Sequence, residues 1–200
     1  EIITKQSFAD KRVIYQAHEW MSGLGMLFLQ HNCPEVRTIF TTHATSIGRS
    51  IAGNNKLLYA YFEGYNGDQM ASELSMEAKH SIEKQSAHRT HCFTTVSDFT
   101  NRECAQLLDK PADLVLPNGF ELDFVPKGAA FTSKRRQARQ RIFQVAQALT
   151  GQTFDNDTLI ISTSGRNDFR CKGFDVYLEA MRQLNERLRD SEQKVLSLIE

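Results

Sequence analysis

The stretch VRTIFTTHATSIGR at residues 36–49 decides the fold class. Its first half, residues 36–42, is dense in β-branched and aromatic side chains and predicts a strand that closes on His43. Similar short strands recur along the chain between longer patterns with helical spacing. Strands that alternate with helices indicate a parallel sheet covered by helices on both faces. The sequence therefore predicts an α/β protein.

The other elements are predicted from the same patterns on either side of this stretch. The predicted strands span residues 13–15, 36–42, 92–96, 113–116 and 159–161, and a last strand starts near 194. The predicted helices follow His18 and span residues 69–91, 98–108, 133–149 and 174–189. A connector is expected over residues 120–132 and a polar loop over 162–173.

The turn Pro117-Asn118-Gly119 marks a change in the character of the chain. Asn-Gly after proline is a strong turn signal, and the helix predicted beyond it begins with a run of cations. We place a domain boundary near residues 117–125, which divides the chain into residues 1–120 and 121–200.

Composition excludes several classes of protein. The 200 residues carry 24 Lys and Arg against 24 Asp and Glu, so bulk charge does not favour binding of nucleic acid or of an anionic membrane. No apolar run approaches the roughly 20 residues of a membrane span. The four cysteines lack C-x-x-C spacing, which argues against a zinc site and for reduced thiols in a cytoplasmic protein. A start at Glu1 without Met and an end inside a predicted strand lead us to expect a trimmed fragment of a longer protein.

The loop SGRNDFRCKG, residues 164–173, lies between a predicted strand and a predicted helix. Open α/β sheets bind their ligands at such strand ends. Arg166 and Lys172 are cations flanked by glycines that let a ligand approach the backbone, and such a pair suits a diphosphate. A solvated basic loop is an equally weighted alternative, because charged loops are common.

Two further strand ends carry polar residues. His43 closes one strand and Arg49 follows six positions later, so both side chains can converge on one polar ligand, although a buried His and a surface Arg are the commoner outcome. Glu19 follows another strand end, and its carboxylate can serve as acid, base or orienting group, or simply favour the start of a helix. The convergence of three strand ends carries more weight than any one residue.

Other phosphate and metal motifs are missing from the sequence. Gly23-Leu-Gly25 lacks the third glycine of a dinucleotide fingerprint, and there is no Walker-type loop or H-E-x-x-H motif. The cations of residues 134–141, which include Arg139 and Arg141, form a solvated helix face or a site for a phosphorylated effector.

Several motifs in this order resemble one family. They are HEWMSG at 18–23, TIFTTHAT at 38–45 with GR at 48–49, FTTVS at 93–97, PNG at 117–119, and GR at 165–166 with KG at 172–173. They closely resemble the glycogen synthases of the eukaryotic type, which are family 3 glycosyltransferases, and the likeness runs from about residue 13 to 184. The TIFTTHAT string is the most specific of these motifs.

The resemblance implies a retaining, metal-independent transferase without a cofactor. Its fold would be two Rossmann-like domains facing a cleft (the GT-B type), with part of the first in residues 1–120 and the start of the second in 121–200. It would move glucose from UDP-glucose to the 4-hydroxyl at the non-reducing end of an α-1,4-glucan, as a homo-oligomer. The glycine-rich donor loop would precede Glu1 and a sugar-binding carboxylate motif would follow Glu200, so the fragment itself is expected to be inactive.

The resemblance also implies roles for individual residues. His43 and Arg49 would contact the glucose and phosphate of the donor, while Arg166 and Lys172 would hold its diphosphate. Glu19 would lie on the sugar-binding side of the cleft. Glu19, Arg166 and Lys172 are therefore the catalytic candidates.

Two further roles lie outside the catalytic group. Asn118 would lie at the interdomain crossover. Arg139 and Arg141 are effector candidates, but residues 127–133 lack the His-rich stretch of members that respond to glucose 6-phosphate, a loss that fits a bacterial member.

Two alternatives compete with this prediction. Another retaining glycosyltransferase of the same two-domain type could use a different nucleotide sugar. A non-catalytic protein that binds a sugar or nucleotide could keep the fold, although such a protein would not need both cationic pairs.

Overall fold

Short parallel strands alternate with helices in the computed structural model, which describes residues 11–170 and 172–200. The predicted α/β class is confirmed by this alternation and by the parallel pairing of every strand in the described residues. The chain divides into two compact units, residues 1–119 and 120–200.

The first unit is a four-stranded parallel sheet with its helices. Its elements are β1 (Ile14–His18), α1 (Glu19–Asn32), β2 (Arg37–Thr42), α2 (Ser46–Gly53), a 3-10 turn (Phe62–Gly64), α3 (Gly67–Glu73), α4 (Glu77–Arg89), β3 (Cys92–Thr95), α5 (Asp98–Leu107) and β4 (Leu114–Val115). The strand order is β1-β2-β3-β4.

Buried apolar side chains hold the helices of this unit to the sheet. Phe40 pairs with Phe93 across β2 and β3, and their stacked rings lie 6.0 Å apart between centroids. These rings share one cluster with Ala17, Met26, Ala87, Cys104 and Leu108. A second cluster consists of Ile47, Ile51, Leu58, Met70, Ala71 and Leu107. Burying this apolar surface is the main force that keeps the strand ends in register.

The second unit is smaller. Its elements are a 3-10 turn (Leu122–Phe124), α6 (Gly128–Thr150), β5 (Leu159–Thr163), α7 (Phe174–Arg187) and β6 (Val195–Ile199). β5 and β6 pair in parallel, and the Tyr177 hydroxyl of α7 donates a 2.9 Å hydrogen bond to the Ile161 carbonyl of β5. α6 ends where Gly151 takes a φ of +70°, a conformation that glycine adopts without steric cost.

Two predicted elements differ from the structure, and one helix was not predicted. The helix predicted over 69–91 is two helices, α3 and α4, because Ser75 takes a φ of +54° and breaks the helix between them. The connector predicted over 120–132 is shorter, because α6 begins at Gly128 and includes the good helix formers Ala129 and Ala130. Residues 46–53, for which no helix was predicted, form α2, whose start is capped by the Thr45 side chain.

The last feature of the fold is the length and polarity of the helices in the part of the chain that the structure describes. No helix there combines the length and the apolar character needed to cross a bilayer.

Candidate functional site

The carboxyl ends of β1 and β2 carry the first group of predicted site residues. The strands are parallel neighbours, and His18 at the end of β1 lies opposite Thr41. His43 follows β2 directly, and its Nε2 atom lies 2.9 Å from Nδ1 of His18. Along this line one ring must donate and the other accept, so the tautomers of the two rings are complementary. His18 was part of the quoted HEWMSG motif but was not predicted as a site residue.

Glu19 joins this group through its carboxylate. Oε1 of Glu19 accepts a 3.2 Å hydrogen bond from the backbone N–H of His43 and lies 3.7 Å from Nη2 of Arg49. The Glu19 side chain is only 16% exposed, whereas that of Arg49 is 57% exposed. The structure therefore brings Glu19, His43 and Arg49 together, with the guanidinium open to solvent.

The backbone of Glu19 is strained. Its φ of +62° lies in the left-handed region, which costs a non-glycine residue on the order of 1 kcal/mol. This conformation lies where β1 turns into α1, at the residue whose carboxylate contacts His43 and Arg49. Strained residues of this kind cluster at functional sites. The backbone conformation of Glu19 and the contacts of its carboxylate therefore both indicate a functional site here.

Two buried carboxylates, which the sequence analysis did not predict, lie behind this group. Glu83 of α4 accepts hydrogen bonds from Thr42 and Ser46, and Glu103 of α5 accepts one from Thr45. No local signal in the sequence marks Glu83, because three of the four residues that α4 buries, His80, Glu83 and Ser86, are polar.

Burial dominates the electrostatics behind the site. It raises the pKa of Glu83 to about 7, although the hydrogen bonds from Ser46 act in the opposite direction. Burial also raises the pKa of the Cys104 thiol above its ordinary range. For Tyr59, burial and the hydrogen bond from its hydroxyl to Glu103 raise the pKa to about 12. Cys104 therefore stays a protonated core thiol.

The loop from Gly165 to Gly173 holds the second group of predicted residues. It follows β5, and its backbone is tied to β6 by a 2.9 Å hydrogen bond from the Gly165 N–H to the Glu200 carbonyl. Arg166 and Lys172 are exposed, and no hydrogen bond or ion pair engages either charged group within residues 11–170 and 172–200. The charged groups of Arg166 and Lys172 are therefore available to an anion.

Lys172 packs back over the loop. A Cβ atom on Gly165 would lie 3.2 Å from Cδ of Lys172, so the lysine stem covers the glycine backbone. Beside it, a cavity of about 270 Å³ has an apolar lining that includes Phe169, Phe174 and Leu178. The combination of two cations with an apolar pocket suits an anionic ligand that also has an uncharged part.

The remaining predicted residues lie apart from these two groups. Asn118 is exposed in the segment after β4. Nη2 of Arg139 donates to the carbonyls of Asn156 and Thr158, at 3.1 and 2.8 Å, and its guanidinium lies over the Phe143 ring. Arg141 is exposed on the same helix. Arg139 is thus already committed to contacts within its own unit.

The potential metal ligands and the thiols of the described residues form the last group of candidates. No group of three or more His, Cys, Asp or Glu side chains there is arranged to hold a metal ion. Cys33, Cys92 and Cys104 are free thiols, and Cys171 lies outside the described residues.

Comparison with known proteins gives one consistent family. The family model described as glycogen synthase matches residues 1–199. The chain is 33% identical over 182 residues to the liver glycogen (starch) synthase of Homo sapiens. The aligned region covers 90% of this chain and 26% of that protein. It is 34% identical over 188 residues to glycogen (starch) synthase of Dictyostelium discoideum, covering 92% of this chain and 21% of that protein. The Neurospora crassa glycogen (starch) synthase is 32% identical over 187 residues, 92% of this chain and 26% of that protein.

The chain thus spans about a quarter of the length of the curated relatives it matches. The match of the family model over nearly every residue nevertheless leaves one conclusion. The chain belongs to the glycogen synthase family.

Proposed function

We propose that this chain is part of a retaining glycosyltransferase that moves glucose from UDP-glucose to the 4-hydroxyl at the non-reducing end of an α-1,4-glucan. The observation that carries the proposal is the grouping of Glu19, His43 and Arg49 at adjacent strand ends, in a chain of the glycogen synthase family. In the reaction, the bond between the anomeric carbon and the diphosphate breaks, a bond to the acceptor oxygen forms, and UDP and a proton are released.

The cations of both units have the chemistry that this reaction needs. Negative charge builds on the departing diphosphate while the sugar becomes oxocarbenium-like, as in glycoside hydrolysis. Arg49, Arg166 and Lys172 present charges that favour this state over the ground state, which is the requirement for a rate gain. Because fixed cations supply the neutralising charge, the proposed mechanism uses no metal ion and no cofactor.

Glu19 has an orienting role in this proposal. Its carboxylate is engaged with the His43 N–H and lies near the Arg49 guanidinium, so it holds the donor-binding groups in place. His43 would then face the glucose and Arg49 the phosphate. Arg166 and Lys172 belong to the other unit, and we propose that they hold the donor's diphosphate, while Asn118 lies near the crossover of the chain. We place this enzyme in the cytoplasm, where its three described free thiols stay reduced.

A transfer assay tests the proposal. The full-length protein is incubated with glycogen and glucose-labelled UDP-glucose, and in parallel with ADP-glucose. We expect label to enter glycogen from UDP-glucose, and Arg49→Ala to reduce the rate by at least tenfold because a charge at the diphosphate is lost. Lys110→Ala, which removes a cation bound to Asp113 of the same unit, is the control and should leave the rate unchanged.

Two results would contradict the proposal. Transfer from another nucleotide sugar alone would assign the protein to a different glycosyltransferase activity. Tight binding of UDP-glucose without any transfer would identify a non-catalytic binding protein.

A further inference from the structure

The turn between β2 and α2, residues 43–45, carries His43 and leads into the helix that carries Arg49. We call it the β2–α2 turn. It lacks regular backbone pairing of its own, so its conformation depends on the side chains that bind it, which include Glu19 at the His43 N–H. Both ends bind carboxylates from distant parts of the sequence.

Glu83 binds both sides of the turn. Its Oε1 accepts a 3.3 Å hydrogen bond from the Thr42 hydroxyl, just before the turn. Its Oε2 accepts from the backbone N–H of Ser46 at 2.8 Å and from the Ser46 hydroxyl at 2.6 Å, just after the turn. One side chain thus ties together the residues immediately flanking the turn.

Glu103 binds the last residue of the turn. Its Oε2 accepts a 2.8 Å hydrogen bond from the Thr45 hydroxyl, while the same Thr45 oxygen accepts from the Gly48 N–H. The Glu103 carboxylate therefore fixes the capping residue of α2, one helical turn before Arg49. Its other oxygen accepts from the Tyr59 hydroxyl.

Burying the Glu83 carboxylate costs free energy, which a position without a structural role would not require. The Glu83 side chain is fully buried and forms no ion pair with a cation in the described part of the chain. A buried carboxylate without a cation costs free energy unless several donors bind it. The three donors that bind Glu83 all come from the residues next to the turn.

We infer that Glu83 is a positioning residue for the donor site: its carboxylate sets the conformation of the β2–α2 turn and thereby the places of His43 and Arg49. Glu103 supports it by fixing Thr45. The inference rests on the proposed function for its catalytic consequence, but its structural part can be tested without turnover. Both carboxylates are buried, so each acts on the donor site through the turn that it binds.

Three variants of the full-length protein test this role. Glu83→Ala removes all three hydrogen bonds and should reduce kcat/KM for UDP-glucose by about 10- to 100-fold, the scale of a misplaced catalytic group. Glu83→Gln keeps the shape, since its amide oxygen can accept from Ser46 and the hydroxyls can accept from its NH₂; it should recover kcat/KM to within about threefold of wild type. Glu77→Gln, an exposed carboxylate on the same helix, should match wild type.

A structural readout separates positioning from loss of folded protein. In protein labelled at histidine, the backbone amide and ring resonances of His43, assigned with a His43→Gln variant, should shift in Glu83→Ala and stay in place in Glu77→Gln. A folded Glu83→Ala variant with wild-type kcat/KM and unmoved His43 resonances would overturn the inference. If Glu83→Ala does not fold, Ser46→Ala removes only the shortest of the three bonds, and it should still shift the His43 resonances; unmoved signals would again overturn the inference.

The two proposals can fail separately. If wild-type protein transfers no glucose from any nucleotide sugar, the proposed function fails while the shift of the His43 resonances still decides the positioning role. If wild type is active and the resonances do not move, only the positioning role fails.

Discussion

The two groups of predicted donor-binding residues are held in opposite ways. In the first unit, the β2–α2 turn is bound from behind by Glu83 and Glu103, two buried carboxylates from different helices. In the second unit, Arg166 and Lys172 of the loop after β5 are exposed, and neither charged group makes a hydrogen bond or ion pair within the described residues. The first site is preorganised, and the second leaves the charged groups of Arg166 and Lys172 open to a ligand.

This difference has a physical consequence for the proposed transfer reaction. A preorganised group stabilises developing charge without reorganising at the moment of reaction. Exposed side chains such as Arg166 and Lys172 lose conformational entropy when they bind an anion, so their contribution depends on the ligand. Variants in the loop should therefore affect catalysis without affecting stability, whereas variants behind the turn should affect both.

The largest expected effect is on turnover, in Arg166→Ala of the full-length protein. We expect kcat to fall at least ~10²-fold, because a charge that would stabilise the departing diphosphate is lost. The melting temperature should move by no more than about 1 °C, because the exposed guanidinium makes no hydrogen bond or ion pair in the described part of the chain. Transfer assays and thermal denaturation of the same preparations measure the two effects.

Arg187→Ala is the matched control for this variant. Arg187 is an exposed cation at the end of α7 in the same unit, and its removal should leave both turnover and melting temperature unchanged. Near-normal turnover in Arg166→Ala would contradict the role assigned to the loop.

The next effect is on the pH dependence of stability, in Glu83→Gln. Glu83 faces Glu19 of α1, Thr42 of β2, Ser46 of α2 and Cys104 of α5. Its pKa rises from an ordinary 4.5 to about 7 on folding. Well below pH 4.5 the carboxyl group is protonated in the folded and in the unfolded state, so its titration does not change the free energy of unfolding. Between pH 4.5 and 7 the folded state binds more protons, so wild-type stability falls as the pH rises.

Glu83→Gln removes this pH dependence. Its unfolding free energy relative to wild type should therefore increase by roughly 3 kcal/mol between pH 4.5 and 7.5. Urea denaturation at several pH values measures the difference, with Glu77→Gln as the exposed control. A constant difference across this range would show that the buried carboxylate does not titrate between the two pH values.

The sheet and part of the site could be predicted from the sequence, because the signals that mark the strands are local. Strands such as residues 36–42 are marked by their own β-branched and aromatic side chains, and parallel strands necessarily end at one edge of the sheet. Glu19, His43 and Arg49 all follow such ends within a few residues. Their proximity could therefore be predicted from strand positions alone.

The support behind the site could not be predicted in this way. Glu83 and Glu103 lie 37 and 58 residues along the chain from the groups that they bind. Only the packing of α4 and α5 against the sheet brings them there, and a charged residue in an apparently solvated helix gives no local sign of burial. The short helix α2 was missed for a related reason, because its eight residues lie below the length at which periodicity alone is convincing.

Gly48 of α2 packs against the preorganised turn. A Cβ atom there would lie 2.4 Å from the Thr45 hydroxyl oxygen and 2.9 Å from Oε2 of Glu103. Both oxygens are held by hydrogen bonds in the buried network, so they cannot move without breaking the cap of α2. Gly48→Ala should lower the unfolding free energy by about 1–3 kcal/mol, the cost of overpacking a core.

Gly53→Ala is the control in the same helix. No heavy atom lies within 4 Å of the added Cβ at Gly53, so the substitution should be neutral or slightly stabilising. If the two variants unfolded at the same urea concentration, the hydrogen-bonded network behind the turn would be able to adjust to the added methyl group. The turn would then be no more rigid than the exposed loop of the second unit.

The smallest expected effect is in Gly165→Ala, which applies the same test to the open loop. The added Cβ would lie 3.2 and 3.3 Å from Cδ and Cγ of Lys172, atoms of a flexible and exposed side chain. Because the lysine stem can rotate away, the unfolding free energy should change by less than about 0.5 kcal/mol. The displaced ammonium should instead weaken UDP-glucose binding, which calorimetric titration of the full-length protein measures. A large loss of stability with unchanged binding would mean that the loop is as rigid as the turn, and that preorganisation does not distinguish the two units.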